Sequence, residues 1–178
     1  METLIVNIPF IIVIAFLIFR IVFSVKHGFA KELCSFIAAI VASLAVLLIA
    51  FAVKSYFNQT RIIFVITLIL LFLLLVLYKI VDMILDPLKR LIGNLPLVSV
   101  VDKVLGIVVG VAEVIVVVWA IYCLVMVMDA GAFEKWVMDC VRANKIMRTL
   151  YEYNYMYMIV AKFSSTLQGI DIWAKLGM

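Results

Sequence analysis

The sequence predicts an all-α, polytopic membrane protein with four transmembrane helices. Three observations carry that prediction. Of its 178 residues, 69% are hydrophobic and 15% charged, with a mean hydropathy of +1.31, whereas an ordinary soluble domain carries about 25% charged residues. The apolar residues fall in four runs, about 4–25, 33–53, 62–81 and 101–128, each long enough for a hydrocarbon core about 30 Å thick. The polar segments between the first three runs are short, which makes those neighbours antiparallel.

In the first run, Asn7 and Pro9 lie near the start, where proline is tolerated in a first helical turn. Arg20 lies near the far end and reads as an interface anchor that snorkels towards head groups. The amino terminus has no basic n-region, and no small-residue cleavage site follows its first apolar run, so this segment is expected to stay as an anchor. The turn KHGFAKEL follows, Lys26 to Leu33. Gly28 is expected to adopt a positive φ there, and Glu32 to cap the second helix and to pair with Lys103 or Arg20. In the second run Ser35, Ala39 and Ser43 recur every four residues beside Ala38 and Ala42, a small-residue stripe suited to helix packing.

Lys54 to Arg61 forms a second short loop. The third run is rich in leucine and isoleucine almost all round and is expected to face lipid, with Thr67, Tyr78 and Lys79 its notable residues. Residues 82–94 are too short to span. Their mixture of Met83, Ile84, Leu88 and Ile92 with Asp82, Asp86, Lys89 and Arg90 reads as an interfacial amphipathic segment bent near Pro87. Asp86 and Arg90, four apart, are spaced to pair.

The fourth run is the most informative. From 101 to 128 it would extend roughly 42 Å as a helix, longer than the hydrocarbon core, so it tilts or protrudes. At a helical period, Asp102, Gly106, Gly110, Glu113, Val117 and Ala120 share one side. Gly106 and Gly110 permit close approach of another backbone. A carboxylate at that depth costs about 2.5–3.5 kcal/mol on insertion scales, so Glu113 is expected to face protein or water, with Thr67 one possible hydrogen-bond partner.

Residues 129–178 read as an amphipathic, aromatic-rich helical tail. Phe133, Trp136, Val137, Cys140, Val141, Asn144, Met147 and Tyr151 mark one helix face, and a second apolar patch gathers around Ile170, Ile172, Trp173 and Leu176. The tail lies either on the membrane interface or on a partner subunit.

The net charge of +4 does not point to nucleic acid, because the basic residues are scattered between apolar runs. Anionic lipid is the expected counterpart. Cys34, Cys123 and Cys140 have no CxxC spacing and His27 is the only histidine, so no metal or other cofactor is expected. Arg20, Lys26, Lys31, Lys79, Lys89, Arg90 and Lys103 fall on one side of the membrane, against Lys54 and Arg61 on the other. Lys135, Arg142, Lys145 and Arg148 of the tail narrow that margin. The first helix dominates orientation, and its flanks place both termini outside the cytoplasm.

Two motifs resemble the colicin V production (CvpA) family of membrane proteins. HGFAKELCSFIA resembles the turn that opens the family's second helix, through Gly28, Phe29, Lys31 and Glu32. LPLVSVVDKVLGIVVGVAEV resembles the signature of its last membrane helix, through Pro96, Asp102, Lys103, Gly106 and Gly110. Glu113 and Val114 depart from the family pattern, standing where many relatives carry a basic residue and a glycine. With four apolar segments in order, the resemblance covers about residues 1–128. It implies a bacterial inner-membrane protein of the cell envelope, tied by its family name to toxin production or export. Some relatives add a serine protease domain after the fourth helix; no Gly-x-Ser-x-Gly occurs here.

The leading functional expectation is a non-enzymatic, oligomeric scaffold or assembly factor, self-associating or joined to other membrane proteins through its small-residue faces. No catalytic residues are assigned, since the carboxylates are dispersed. The alternative is a channel or transport subunit in which the fourth helix lines a pore and Glu113 is its polar site. An enzyme that gathers Asp82, Asp86 and Asp102 around a cation ranks third.

Overall fold

The structure, a computed structural model, describes residues 2–54, 56, 60–92, 99–129, 131–159 and 162. Its helices are α1 (Glu2–His27), α2 (Phe29–Lys54), α3 (Thr60–Ile84), α4 (Asp86–Ile92), α5 (Ser99–Met128), α6 (Ala132–Ala143) and α7 (Lys145–Glu152). No strand occurs among the described residues. Four helices are long and apolar enough to cross a membrane: Asn7–His27, Phe29–Lys54, Ile62–Ile84 and Val100–Met128.

Helix α5 is the centre of the bundle. It packs most extensively on α2, then on α1, and less on α3. The small-residue stripe of α2 makes this possible, because Ala38, Ala39, Ala42, Ser43 and Ala50 are all buried. Ala39, Ala42 and Ala50 join Val116, Ala120, Cys123 and Leu124 in one apolar core. The stripe expected to serve self-association is therefore used within the chain. Helix α3 buries Ile63, Thr67, Leu70 and Leu74 and exposes Val65, Ile69, Phe72 and Leu75, a lipid-suited outer face.

Three local expectations change. Helix α1 begins at Glu2, so Pro9 lies inside the helix rather than in its first turn. Such a proline is tolerated where neighbouring helices shield the backbone. Helix α2 begins at Phe29, not near Leu33, because Gly28 alone makes the turn: its φ of 75° reverses the chain in one residue. Finally, 82–84 continue α3, and only Asp86–Ile92 form the short α4.

The tail folds back on its own chain. Helix α6 lies along α1 and α7 against α5. The predicted apolar face is the buried one, with Val137, Cys140, Val141 and Met147 inside. It is not one helix, however. Asn144, in an extended conformation (φ −121°, ψ 124°), ends α6 and caps α7 by accepting from the amides of Ile146 and Met147. Trp119 Nε1 donates to the Leu150 carbonyl at 2.8 Å, and Asn154 Nδ2 donates to the Trp119 carbonyl at 3.2 Å. The patch at Ile170, Ile172, Trp173 and Leu176 lies outside the described residues, as does Pro96.

Candidate functional site: a buried charge network below a basic vestibule

Four helices bring polar groups to the same region, α2 two of them and α1, α3 and α5 one each. On α1, Phe10, Val13, Leu17, Arg20 and Ser24 recur at helical spacing and form its inner stripe. The first three pack on the apolar core, so Arg20 is carried inward with them. Its side chain is only 12% exposed. On α3, Leu74 and Leu70 are buried one and two turns before Tyr78, which orients the phenol towards α5. Glu32 and Ser35 open the buried face of α2, and Glu113 stands on the packing face of α5.

Arg20 bridges both carboxylates. Its Nη2 donates to Glu113 Oε2 and lies 2.8 Å from Glu32 Oε2, the latter an ion pair without aligned hydrogen-bond geometry. Tyr78 Oη donates to Glu113 Oε1 at 3.0 Å. Ser35 Oγ lies 2.6 Å from Tyr78 Oη and 3.4 Å from Glu113 Oε1. Glu113 is 1% exposed and Glu32 2%. Charges buried to that degree are tolerated only when paired and hydrogen-bonded, and here one guanidinium serves two carboxylates. Thr67 takes no part; its hydroxyl donates to the Ile63 carbonyl at 2.8 Å.

The glycines explain how the helices come close enough. A Cβ on Gly106 would stand 3.2 Å from the Ser24 carbonyl oxygen and 3.3 Å from the Gly28 carbonyl carbon. One on Gly110 would collide with Ser24 Oγ, and one on Gly28 with the Asp102 carboxylate. The face of α5 expected to meet another subunit or line a pore thus receives the α1–α2 turn of the same chain. Asp102 Oδ1 accepts the Phe29 amide at 2.9 Å and caps α2 from a different helix. Glu32, expected in that capping role, is instead drawn to Arg20.

Above the network opens a vestibule of about 460 Å³ between α1, α2, α3 and α4. Its acids are engaged. Glu32 meets Arg20, while Lys89 Nζ lies 2.6 Å from Asp82 Oδ1 and 2.9 Å from Asp86 Oδ1. Asp86 pairs three residues on, with Lys89 rather than Arg90. The Lys89 hydrogen bond and charge hold the Asp86 carboxyl below its usual range. Burial opposes the charge on Lys89, yet hydrogen bonds to Asp82 and Asp86 outweigh it and raise the ammonium above its usual value. A smaller apolar cleft of about 100 Å³ continues between α1 and α3, lined by Phe16, Leu74, Leu75 and Tyr78, with Ser43 Oγ lacking a hydrogen-bond partner.

Of the motif residues, Gly28, Phe29, Asp102, Gly106 and Gly110 meet at the α1–α2 turn. Glu32 and Glu113 meet one level deeper, and Lys31 lines the vestibule. Lys103 is exposed and takes no part. Arg20 pairs with Glu32 as expected, but its bond to Glu113 and the presence of Tyr78 in the network were not expected. The positions of Arg20 and Tyr78 on the stripes Val13–Leu17–Arg20 and Leu70–Leu74–Tyr78 were the available signal. Among the described residues, no group of three or more His, Cys, Asp or Glu is placed to hold a metal ion.

A family model described as colicin V production protein matches residues 11–150. The chain belongs to the colicin V production protein family. No curated protein and no solved structure matches it. The matched region of this colicin V production family member includes all five residues of the network. It also runs beyond the four spans, through α6 and into α7. Those two helices pack on the bundle and lie within the family's extent.

Proposed function

We propose that this colicin V production family member is a non-enzymatic assembly factor of the bacterial inner membrane that serves production or export of a toxin. One observation carries the reading. The Arg20–Glu32–Glu113–Tyr78 network draws α1, α2, α3 and α5 into a single closed body. A body closed in this way acts through its outer surfaces. Those surfaces are the large apolar faces of α1 and α3 and the vestibule rim, where homo-oligomer or other membrane-protein contacts form. The basic end, with Lys26, Lys31, Lys79 and Arg90, faces the cytoplasm in this reading, with both termini outside.

The alternative, a pore lined by α5, draws less support, because the stripe Asp102–Gly106–Gly110–Glu113 is occupied by α1 and α2. Crosslinking in native membranes separates the two. An assembly factor yields captured partners or multimers through the outer faces of α1 and α3. Monomers alone, together with conductance in planar bilayers that Glu113→Gln abolishes, would overturn the proposal.

A further inference from the structure

Three cations on the vestibule wall are left over once its acids are paired. Lys31 on α2, Lys79 on α3 and Arg90 on α4 all line the cavity and are exposed. Among the described residues none of them makes an ion pair. Glu32, Asp82 and Asp86, the acids that share the wall, are already held by Arg20 and Lys89. Five cations and three acids line the cavity, which leaves it a net charge of +2. Its volume of about 460 Å³ lies within the roughly 300–1,000 Å³ of ordinary ligand pockets.

The rim has a second character. Phe23 on α1 lines the cavity and is 38% exposed. The smaller cleft, walled by Phe16, Leu74, Leu75 and Val117 with Ser43 and Glu113 also on its lining, shares Tyr78 with the vestibule. Cations from three helices stand at the top and an apolar slot leads down from them. A soluble anion would satisfy only the upper half of that arrangement. An amphiphile with a phosphate head satisfies both.

We propose that the vestibule and cleft bind one anionic phospholipid of the bilayer, its phosphate among Lys31, Lys79 and Arg90 and an acyl chain between α1 and α3. Arginine offers a phosphate a planar fork of donors, and the lysines offer mobile point charges. Helix α4 is held over the cavity by Lys89 bridging Asp82 and Asp86, which fixes Arg90 at the rim. The site does not depend on whether the closed bundle acts as an assembly factor.

The test uses the full chain, reconstituted in nanodiscs of phosphatidylglycerol and phosphatidylcholine in equal amounts, re-extracted in mild detergent and weighed by native mass spectrometry. The wild-type protein should retain one phosphatidylglycerol in preference to phosphatidylcholine. Each cation should contribute roughly fivefold, so Lys31→Gln, Lys79→Gln and Arg90→Gln together should cut retention on the order of 100-fold. Leu75→Trp, which fills the cleft without touching a charge, should also weaken retention, whereas millimolar inorganic phosphate should not displace the lipid. Equal retention of both lipids overturns the proposal on the wild-type protein alone. So does displacement by inorganic phosphate, which marks a free-anion site, or indifference to Leu75→Trp, which marks a water-filled cleft. If the triple variant does not elute as the wild type does, Arg90→Gln alone carries the charge arm, with a fivefold loss expected.

Discussion

The two halves of α5 are held in opposite ways. Its first half buries glycine and exposes valine: Gly106 and Gly110 are buried while Val104 and Val108 are 54% and 59% exposed. Its second half leaves no side chain exposed, with Val114, Val118, Leu124 and Val125 all at 4% or less. The first half is fixed by close backbone approach, the Asp102 cap and the Arg20 network. The second is fixed by apolar side chains of α2 and α3 and by the folded-back α6 and α7. Inside a membrane, burying an apolar side chain against protein gains little over leaving it in lipid, so packing detail and polar pairing carry the association. The first half rests on a few groups that are each hard to replace. The second rests on many that share the load.

That contrast is most sharply tested at Arg20. Arg20→Met leaves two buried carboxylates without their shared cation and should cost about 3–5 kcal/mol of stability, seen as an early thermal transition in detergent. Adding Glu32→Gln and Glu113→Gln to the same chain should restore most of the loss, because the uncompensated charge is then gone. Full stability of Arg20→Met alone would break the comparison.

In the second half, Leu124→Ala should cost roughly 2–5 kcal/mol through the cavity it leaves. No charge change is available to rescue it. At Gly28, alanine is strained at φ 75° and its Cβ meets the Asp102 carboxylate, which together should cost about 1–3 kcal/mol. Asp102→Ala in that background should relieve the collision but not the strain, so urea or thermal unfolding should show partial recovery.

The smallest effect lies where α5 hands over to α6. Burial and then a hydrogen bond with Asp129 raise the Glu134 carboxyl above its ordinary range. The folded chain therefore holds this proton at a pH where the unfolded chain has lost it. Stability contributed there is complete below the ordinary glutamate value of about 4.3 and declines as pH rises through the raised one. Glu134→Gln should flatten that part of the profile of thermal midpoint against pH and leave the rest unchanged.

Much of this was legible in the chain. Four apolar runs at spanning length gave the four crossings, and the period of α5 put Asp102, both glycines and Glu113 on one buried side. Other features were hidden for physical reasons. Arg20 lies seven residues before His27, close enough to the helix end to read as a snorkelling anchor. What draws it inward is a carboxylate 93 residues away, which no local pattern encodes. Tyr78 stood out only as a polar residue near the end of a run expected to face lipid. The small-residue stripes were correctly located, but a stripe does not say whether its partner is another copy or another part of the same chain. In the tail, the apolar face continues across Asn144 without a break in period, so the helix boundary shows only in the capping preference of asparagine.

Arg20 and Glu32 also bear on how such a chain enters a bilayer. They sit on the first hairpin, twelve residues apart and already matched, while Glu113 is translated only after one further crossing, α3. Within the first hairpin this buried cation and anion offset one another before α3 and α5 are made. When α5 arrives it delivers an acid to a guanidinium that is waiting for it. Once the hairpin has formed, Arg20 has a counter-ion that does not wait for α5.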